Sequence, residues 1–174
     1  MIDQSTKLFD ELATMVAGLS HYYIKESHIA TKYEYNSRVL FSRYRLIDEP
    51  PSKILLKQHL NKEIEVAIPT PPNGYKQRVI FLFEGKESKE FLQILKSMLL
   101  YLNIKDTKLY KERSKNCVQV HIPLSTTNPN EAYNKAVELS SMLQRRVTKS
   151  WKVLPNPNIP QIKAIYPLPY KYIE

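Results

Sequence analysis

Residues 78–102 run Arg78-Val79-Ile80-Phe81-Leu82-Phe83-Glu84-Gly85-Lys86-Glu87-Ser88-Lys89-Glu90-Phe91-Leu92-Gln93-Ile94-Leu95-Lys96-Ser97-Met98-Leu99-Leu100-Tyr101-Leu102. The run from Arg78 to Phe83 is continuously apolar after its first residue and has the length of a strand. Glu84-Gly85 reads as a turn. From Ser88, Phe91, Leu92, Leu95, Met98, Leu99 and Leu102 recur at helical spacing and give an apolar face wide enough to cover a sheet. A strand followed at once by a covering helix is the first half of a βαβ unit.

Working toward the C-terminus, Thr107-Lys108-Leu109-Tyr110 and Val118-Gln119-Val120-His121-Ile122 predict two paired strands joined by polar residues 111–116. A second helix is expected from Glu131 to about Val147, capped by Asn130, with Ala132, Ala136, Leu139, Leu143 and Val147 facing the sheet. Trp151-Lys152-Val153-Leu154 is the last strand of the series. The order β-α-β-β-α-β is the split βαβ pattern of ferredoxin-like and RNA-recognition-motif folds. Right-handed crossovers put both helices on one face of such a sheet, so the other face is expected to be open.

Working toward the N-terminus, Pro69-Thr70-Pro71-Pro72-Asn73-Gly74 breaks the chain with residues that cannot continue a ladder and that favour reversal. Before it, Ser5 to Leu19 carries Leu8, Leu12, Met15, Val16 and Leu19 on one helical face, with Ser5 as N-cap. Residues 31–35 and 38–44 predict a hairpin about Glu34-Tyr35-Asn36-Ser37, because Asn36 tolerates the positive φ of a tight turn. Pro50-Pro51-Ser52 opens a short helix through Leu60, and Ile64 to Ile68 alternates as a strand. The expected fold class is therefore α+β. Residues 1–68 form a small α+β unit and 69–75 a Pro-rich connection. A ferredoxin-like unit spans 76–154, and an extended Pro/Tyr tail, 155–174, docks on the surface through Ile162, Ile165, Tyr166 and Leu168.

The charge follows this division. The chain of 174 residues has a net charge of +9, with 26 Lys and Arg against 17 Asp and Glu. Residues 1–75 hold nine of each sign, so the whole excess, 17 basic against 8 acidic, belongs to residues 76–174. One cluster, Lys105, Lys108, Lys111, Arg113 and Lys115, diluted by Asp106 and Glu112, surrounds the connection between the paired strands. Arg145, Arg146, Lys149 and Lys152 gather at the end of the second helix with no acid among them in sequence. A hairpin and a helix end can form one basic margin, which attracts phosphates through counterion release.

Several chemistries find no support. With 43% apolar residues the chain can build a core, a single Cys excludes a disulfide framework or a Cys-based zinc site, and no apolar run spans a bilayer. Met1-Ile2-Asp3-Gln4 lacks the order of a signal peptide, so a cytoplasmic location without membrane insertion is expected. Three glycines leave no Gly-rich phosphate loop. No two of His21, His28, His59 and His121 share an i, i+4 pairing, and Cys117 sits in an apolar strand. No catalytic residue, metal or cofactor is expected.

Two resemblances complete the reading. His21-Tyr22-Tyr23-Ile24-Lys25, Tyr33-Glu34-Tyr35, Arg38-Val39-Leu40-Phe41 and Leu56-Lys57-Gln58-His59-Leu60-Asn61-Lys62-Glu63 resemble an uncharacterised domain family of Helicobacter and related Epsilonproteobacteria, with the likeness extending to the Pro/Tyr tail. It implies a bacterial cytoplasmic α+β protein and no activity. Ser114-Lys115-Asn116-Cys117-Val118-Gln119-Val120-His121-Ile122-Pro123 and Leu82-Phe83-Glu84 look like the catalytic half of archaeo-eukaryotic-type primases. Gln119 stands at that family's histidine and Leu82 at its first aspartate, so the resemblance implies nucleotide or nucleic-acid binding beside Lys115, Gln119 and His121 without a two-metal site.

The expected function is a non-catalytic module binding nucleic acid, nucleotide or phosphate through Lys108, Lys111, Arg113, Lys115, Gln119, His121, Arg145, Arg146 and Lys149. The alternative is a protein-interaction or structural component. It would meet a protein partner or a second copy through the Tyr/Arg-rich segment 22–45, with Tyr33, Tyr35, Arg38, Arg43 and Tyr44 as its contact surface, and through the tail.

Overall fold

A computed structural model describes residues 4–114 and 116–173. Its elements in chain order are α1 (Gln4–Met15), β1 (Tyr22–Lys25), β2 (Thr31–Tyr35), β3 (Arg38–Ser42), β4 (Tyr44–Ile47), α2 (Lys53–Leu60) and β5 (Val66–Pro69). Then follow β6 (Arg78–Glu84), α3 (Ser88–Tyr101), β7 (Lys108–Lys111), β8 (Cys117–Pro123), α4 (Pro129–Gln144), β9 (Lys152–Leu154), β10 (Ile165–Pro167) and β11 (Lys171–Tyr172). The fold is α+β with antiparallel sheets. Two compact units divide the chain: one takes residues up to Pro72 together with Pro157–Leu168, the other Asn73–Asn156 and the residues from Pro169 on.

In the first unit, α1 stops at Met15, four residues before the expected end. The chain reverses there, with Gly18 in the left-handed region that only glycine adopts freely. Ser5 lies inside the helix, not at its cap. Asn36 and Ser37 both have positive φ, the signature of the two-residue turn that matches strand twist, and they close the β2–β3 hairpin. The run expected to continue to Tyr44 breaks at Arg43. The Ser42 hydroxyl accepts from the Tyr44 backbone N–H at 3.0 Å, and the chain leaves β3 to pair β4 with β1. Ser52 caps α2 by accepting from Leu55 N–H at 3.1 Å. The four-stranded sheet has the order β10-β5-β1-β4.

The second unit carries the order β11-β7-β8-β6-β9. Four of its strands, β7-β8-β6-β9, with α3 and α4, have the split βαβ topology of ferredoxin-like folds. Val79, Phe81 and Phe83 of β6, Leu109 of β7 and Val118, Val120 and Ile122 of β8 meet Phe91, Leu95, Met98 and Leu99 of α3 and Ala136, Leu139 and Leu143 of α4 in one core. Phe83 and Phe91 stack at 4.5 Å between ring centroids. The opposite face is not open as expected. Ile80, Tyr110, Gln119, His121 and Leu154 alternate onto that face and all are buried. The unbroken apolar run of β6 has its reason here, because a strand covered on both faces has no polar side to alternate with.

The tail runs as two short strands, β10 and β11. Within the first unit, Ile165–Pro167 adds an edge strand to β5, and Ile165, Tyr166 and Leu168 are buried. Leu168 N–H donates to Val66 C=O at 2.8 Å. Within the second, Lys171 and Tyr172 pair with Lys111 and Tyr110, flanked by Tyr170 N–H to Lys111 C=O at 3.0 Å and Ile173 N–H to Leu109 C=O at 2.7 Å. Removing a buried aromatic of this size costs about 3–5 kcal/mol. Tyr166→Ala is therefore expected to lower the urea midpoint by that equivalent, whereas a tail that merely lay on the surface would leave the midpoint within experimental error of wild type.

Candidate functional site

The ladder between β6 and β8 fixes where the charged residues fall. Glu84 at the end of β6 opposes Cys117 at the start of β8, and Gly85 N–H donates to Asn116 C=O at 3.0 Å. The β7–β8 connection and the start of α3 therefore share one end of the sheet. Gly85 suits this turn sterically, since a Cβ there would come within 3.1 Å of the Phe83 ring. The segment that follows α4 reaches the same place: Lys149 Nζ lies 3.4 Å from Glu87 Oε1.

This end of the sheet is not purely basic. A cleft of about 200 Å³ opens between the start of α3 and the end of α4, floored by Phe83 and Phe91 and walled by Ile94 and Val147. Its rim carries Arg146 and Lys149 but also Glu87 and Glu90. The acids absent from the sequence neighbourhood of Arg145, Arg146 and Lys149 arrive from α3 and its preceding turn. The Glu87 carboxylate is held below the usual carboxylate range, first by its own backbone N–H and then by Lys149. A volume of this size is below that of a pocket for a drug-sized ligand, roughly 300–1,000 Å³.

Gln119 and His121 occupy the buried second face, with 0% and 2% of their surface exposed. The Gln119 amide N–H donates to Glu112 Oε1 at 3.0 Å, which turns its carbonyl oxygen toward His121 Nε2 at 2.9 Å. That oxygen only accepts, so Nε2 carries the proton. The His121 ring meets Tyr110 edge to face at 4.9 Å, and Tyr110 meets Tyr172 likewise at 5.6 Å. Burial, and then Arg78 and Lys108, hold the His121 pKa well below the ordinary imidazole value. These two residues form an internal polar row and do not present themselves to a ligand in solvent, contrary to the sequence expectation.

The remaining basic residues separate. Lys108 is half-buried on the His121 side of the sheet, whereas Lys111 and Arg113 are exposed. Lys115 lies outside the described residues. Strand β11 adds a residue that sequence reasoning passed over: Lys171 stands directly opposite Lys111. Both are exposed, and neither meets a carboxylate among the described residues. Arg145, Arg146 and Lys149 are exposed in the segment just beyond α4.

In the Tyr/Arg-rich segment the tyrosines turn inward. Tyr44 donates to Glu65 Oε1 at 2.8 Å, which also pairs with Lys25 at 3.0 Å, and Tyr35 donates to Asn158 C=O at 2.9 Å. Tyr33 is half-buried, while Arg38 and Arg43 are exposed. The outer face of the hairpin instead shows Val39 and Phe41, 47% and 64% exposed, beside Lys32 and Glu34. The alternation of Tyr33 and Tyr35 with Lys32 and Glu34 along β2 was the available signal for this division. Among the described residues no three His, Cys, Asp or Glu side chains gather to hold a metal, and no helix is long and apolar enough to cross a membrane.

Residues 11–69 match the family model described as a domain of unknown function (DUF1882). The match begins inside α1, ends at the first residue of the Pro-rich connection and does not reach the tail. No curated protein matches the chain. Among solved structures, the polymerase domain of Mycobacterium tuberculosis Ligase D in complex with DNA is similar at 14% identity and a TM-score of 0.44. That likeness covers 82% of this chain, which spans 63% of the length of the polymerase-domain chain.

His121 sets a pH dependence. Its folded pKa lies below its unfolded value, about 6.5, so its contribution to stability is complete above pH 6.5 and is lost as pH falls below it. Equilibrium unfolding is expected to show a slope approaching about 1.4 kcal/mol per pH unit from this one proton in the mildly acid range. His121→Gln should reduce that slope by one proton, and wild-type imidazole NMR resonances of His121 should keep their neutral shifts at pH 6. Titration of those resonances at an ordinary imidazole pKa would contradict the buried neutral assignment.

Proposed function

We propose that the chain is a nucleic-acid-binding module whose contact is the cationic edge of the second unit, built from Lys111 and Arg113 with Lys171 added by the tail. The observation that carries this reading is the direct cross-strand opposition of Lys111 and Lys171. Like charges opposite one another on neighbouring strands destabilise a sheet by a few tenths to about 1 kcal/mol. An oxyanion between the two ammonium groups removes that cost and gains two charge-assisted hydrogen bonds. A phosphodiester backbone supplies such oxyanions at regular intervals, and Arg113, two residues beyond Lys111 in the connection to β8, extends the track.

The helix-end group of Arg145, Arg146 and Lys149 is a weaker contributor. Glu87 already pairs with Lys149, and Glu90 lines the same cleft. Buried Gln119 and His121 have no part in this reading. Electrostatic contact of this type does not read base sequence, so binding is expected to be general and strongly salt-dependent.

The test is a salt series of single-stranded and duplex DNA and RNA binding, followed by fluorescence anisotropy. Each lysine replaced by alanine should lower the slope of log K against log salt by about 1, so Lys111→Ala with Lys171→Ala lowers it by about 2. The same double variant should be as stable as wild type or slightly more so, because the cross-strand repulsion is gone. Arg145→Ala with Arg146→Ala should change the slope less. Binding whose slope is untouched by the edge variant, or no binding to any of these nucleic acids at low salt, would defeat the proposal.

A further inference from the structure

The β2–β3 hairpin is a two-stranded sheet of its own, and no strand among the described residues pairs with the outer edge of either strand. Its turn has two residues, so Tyr35 and Arg38 form a hydrogen-bonded pair and the pairs alternate from there. Tyr33 with Leu40 is the next hydrogen-bonded pair. Lys32 and Glu34, opposite Phe41 and Val39, then point their backbone N–H and C=O groups outward from the edge of β2.

The sequence along that edge, Thr31-Lys32-Tyr33-Glu34-Tyr35, is complementary to itself when reversed. With a two-fold axis through Tyr33, an antiparallel copy sets Lys32 opposite Glu34 and Glu34 opposite Lys32. Lys32 and Glu34 are also the residues with outward backbone groups, so charge register and hydrogen-bond register coincide. Four backbone hydrogen bonds and two cross-strand ion pairs result. On the exposed face, each ion pair would be flanked by Phe41 of one copy and Val39 of the other, which places the two most exposed apolar residues of the hairpin beside it. The opposite face is committed to the chain itself, since Tyr35 donates to Asn158.

We propose that the outer edge of β2 joins a second copy of this chain in a symmetric antiparallel pairing, making a four-stranded sheet across a two-fold axis. The surface is small, so the dimer is weak and concentration-dependent.

Sedimentation equilibrium of the full chain should show the mass rising from 20.4 kDa toward twice that value between about 1 µM and 1 mM. Lys32→Glu alone and Glu34→Lys alone each set like charges across the axis at both pairs, and each should weaken the dimer about tenfold or more. Carrying both changes in one chain restores opposite charges and should restore association. An equimolar mixture of the two single variants should form a heterodimer that neither forms alone, which a failure to fold could not produce. A wild-type chain that stays at 20.4 kDa throughout overturns the proposal, as a hairpin serving a different protein would. So does a mixture that associates no better than its components, or a dimer that all variants form equally.

Discussion

The second unit depends on one ladder, the seven-residue pairing of β6 with β8 from Arg78↔Pro123 to Glu84↔Cys117. Because both strands are central, every residue between their ends must be covered on one face or the other, and the pairing decides which. It sends Val79, Phe81 and Phe83 with Val118, Val120 and Ile122 to the helices. It sends Ile80 with His121, and Leu82 with Gln119, to the opposite side. A slip of one residue would exchange the two sets and bury Glu84 and Arg78 among the helix contacts. The same register brings Gly85 against Asn116, and so joins the start of α3 to the β7–β8 connection.

That junction converts a linear charge map into a spatial one. In sequence, the excess of positive charge in residues 76–174 looks like a single reservoir with two concentrations, one at the hairpin and one at the helix end. In space, the turn before α3 carries Glu87 to Lys149, and the α3 carboxylate of Glu90 lines the cleft beside Arg146. The edge strand β11 does the reverse for the hairpin cluster: it sets Lys171 against Lys111, and neither lysine meets a carboxylate among the described residues. Net charge and local potential therefore part company, and the local arrangement is what a phosphate would encounter.

The elements readable from residues 78–154 were those with long periods or long runs. Strand β6, helix α3, strand β8 and helix α4 each expose several turns or alternations, enough for a hydrophobic pattern to stand out. The two tail strands were not readable, because three and two residues give no alternation and Pro167 and Pro169 disguise what backbone pairing achieves. The closed second face was signalled by the unbroken apolar run of β6, but the split βαβ pattern argued for an open one and overrode it. Gln119 and His121 were legible as polar residues in a strand. Their mutual hydrogen bond, with Glu112 behind it, was not, because the alternation that puts residues 119 and 121 on one face says nothing of whether that face is wet.

The molecule treats its exposed strand edges in two different ways, and the difference is chemical. Strand β11 is only two residues long and carries the exposed Lys171, so a further strand would gain few hydrogen bonds and meet a positive charge. The β2 edge is longer and carries Lys32 and Glu34 two residues apart, on the face shared with Phe41 and Val39. Charges on an edge discourage pairing when they repel the approaching strand. Opposite charges spaced by two repel a parallel in-register copy, where like meets like, and attract an antiparallel copy centred on the residue between them. The edge that carries them is thus closed to one geometry and open to the other, and the selectivity follows from the order Lys-Tyr-Glu with no further contact required.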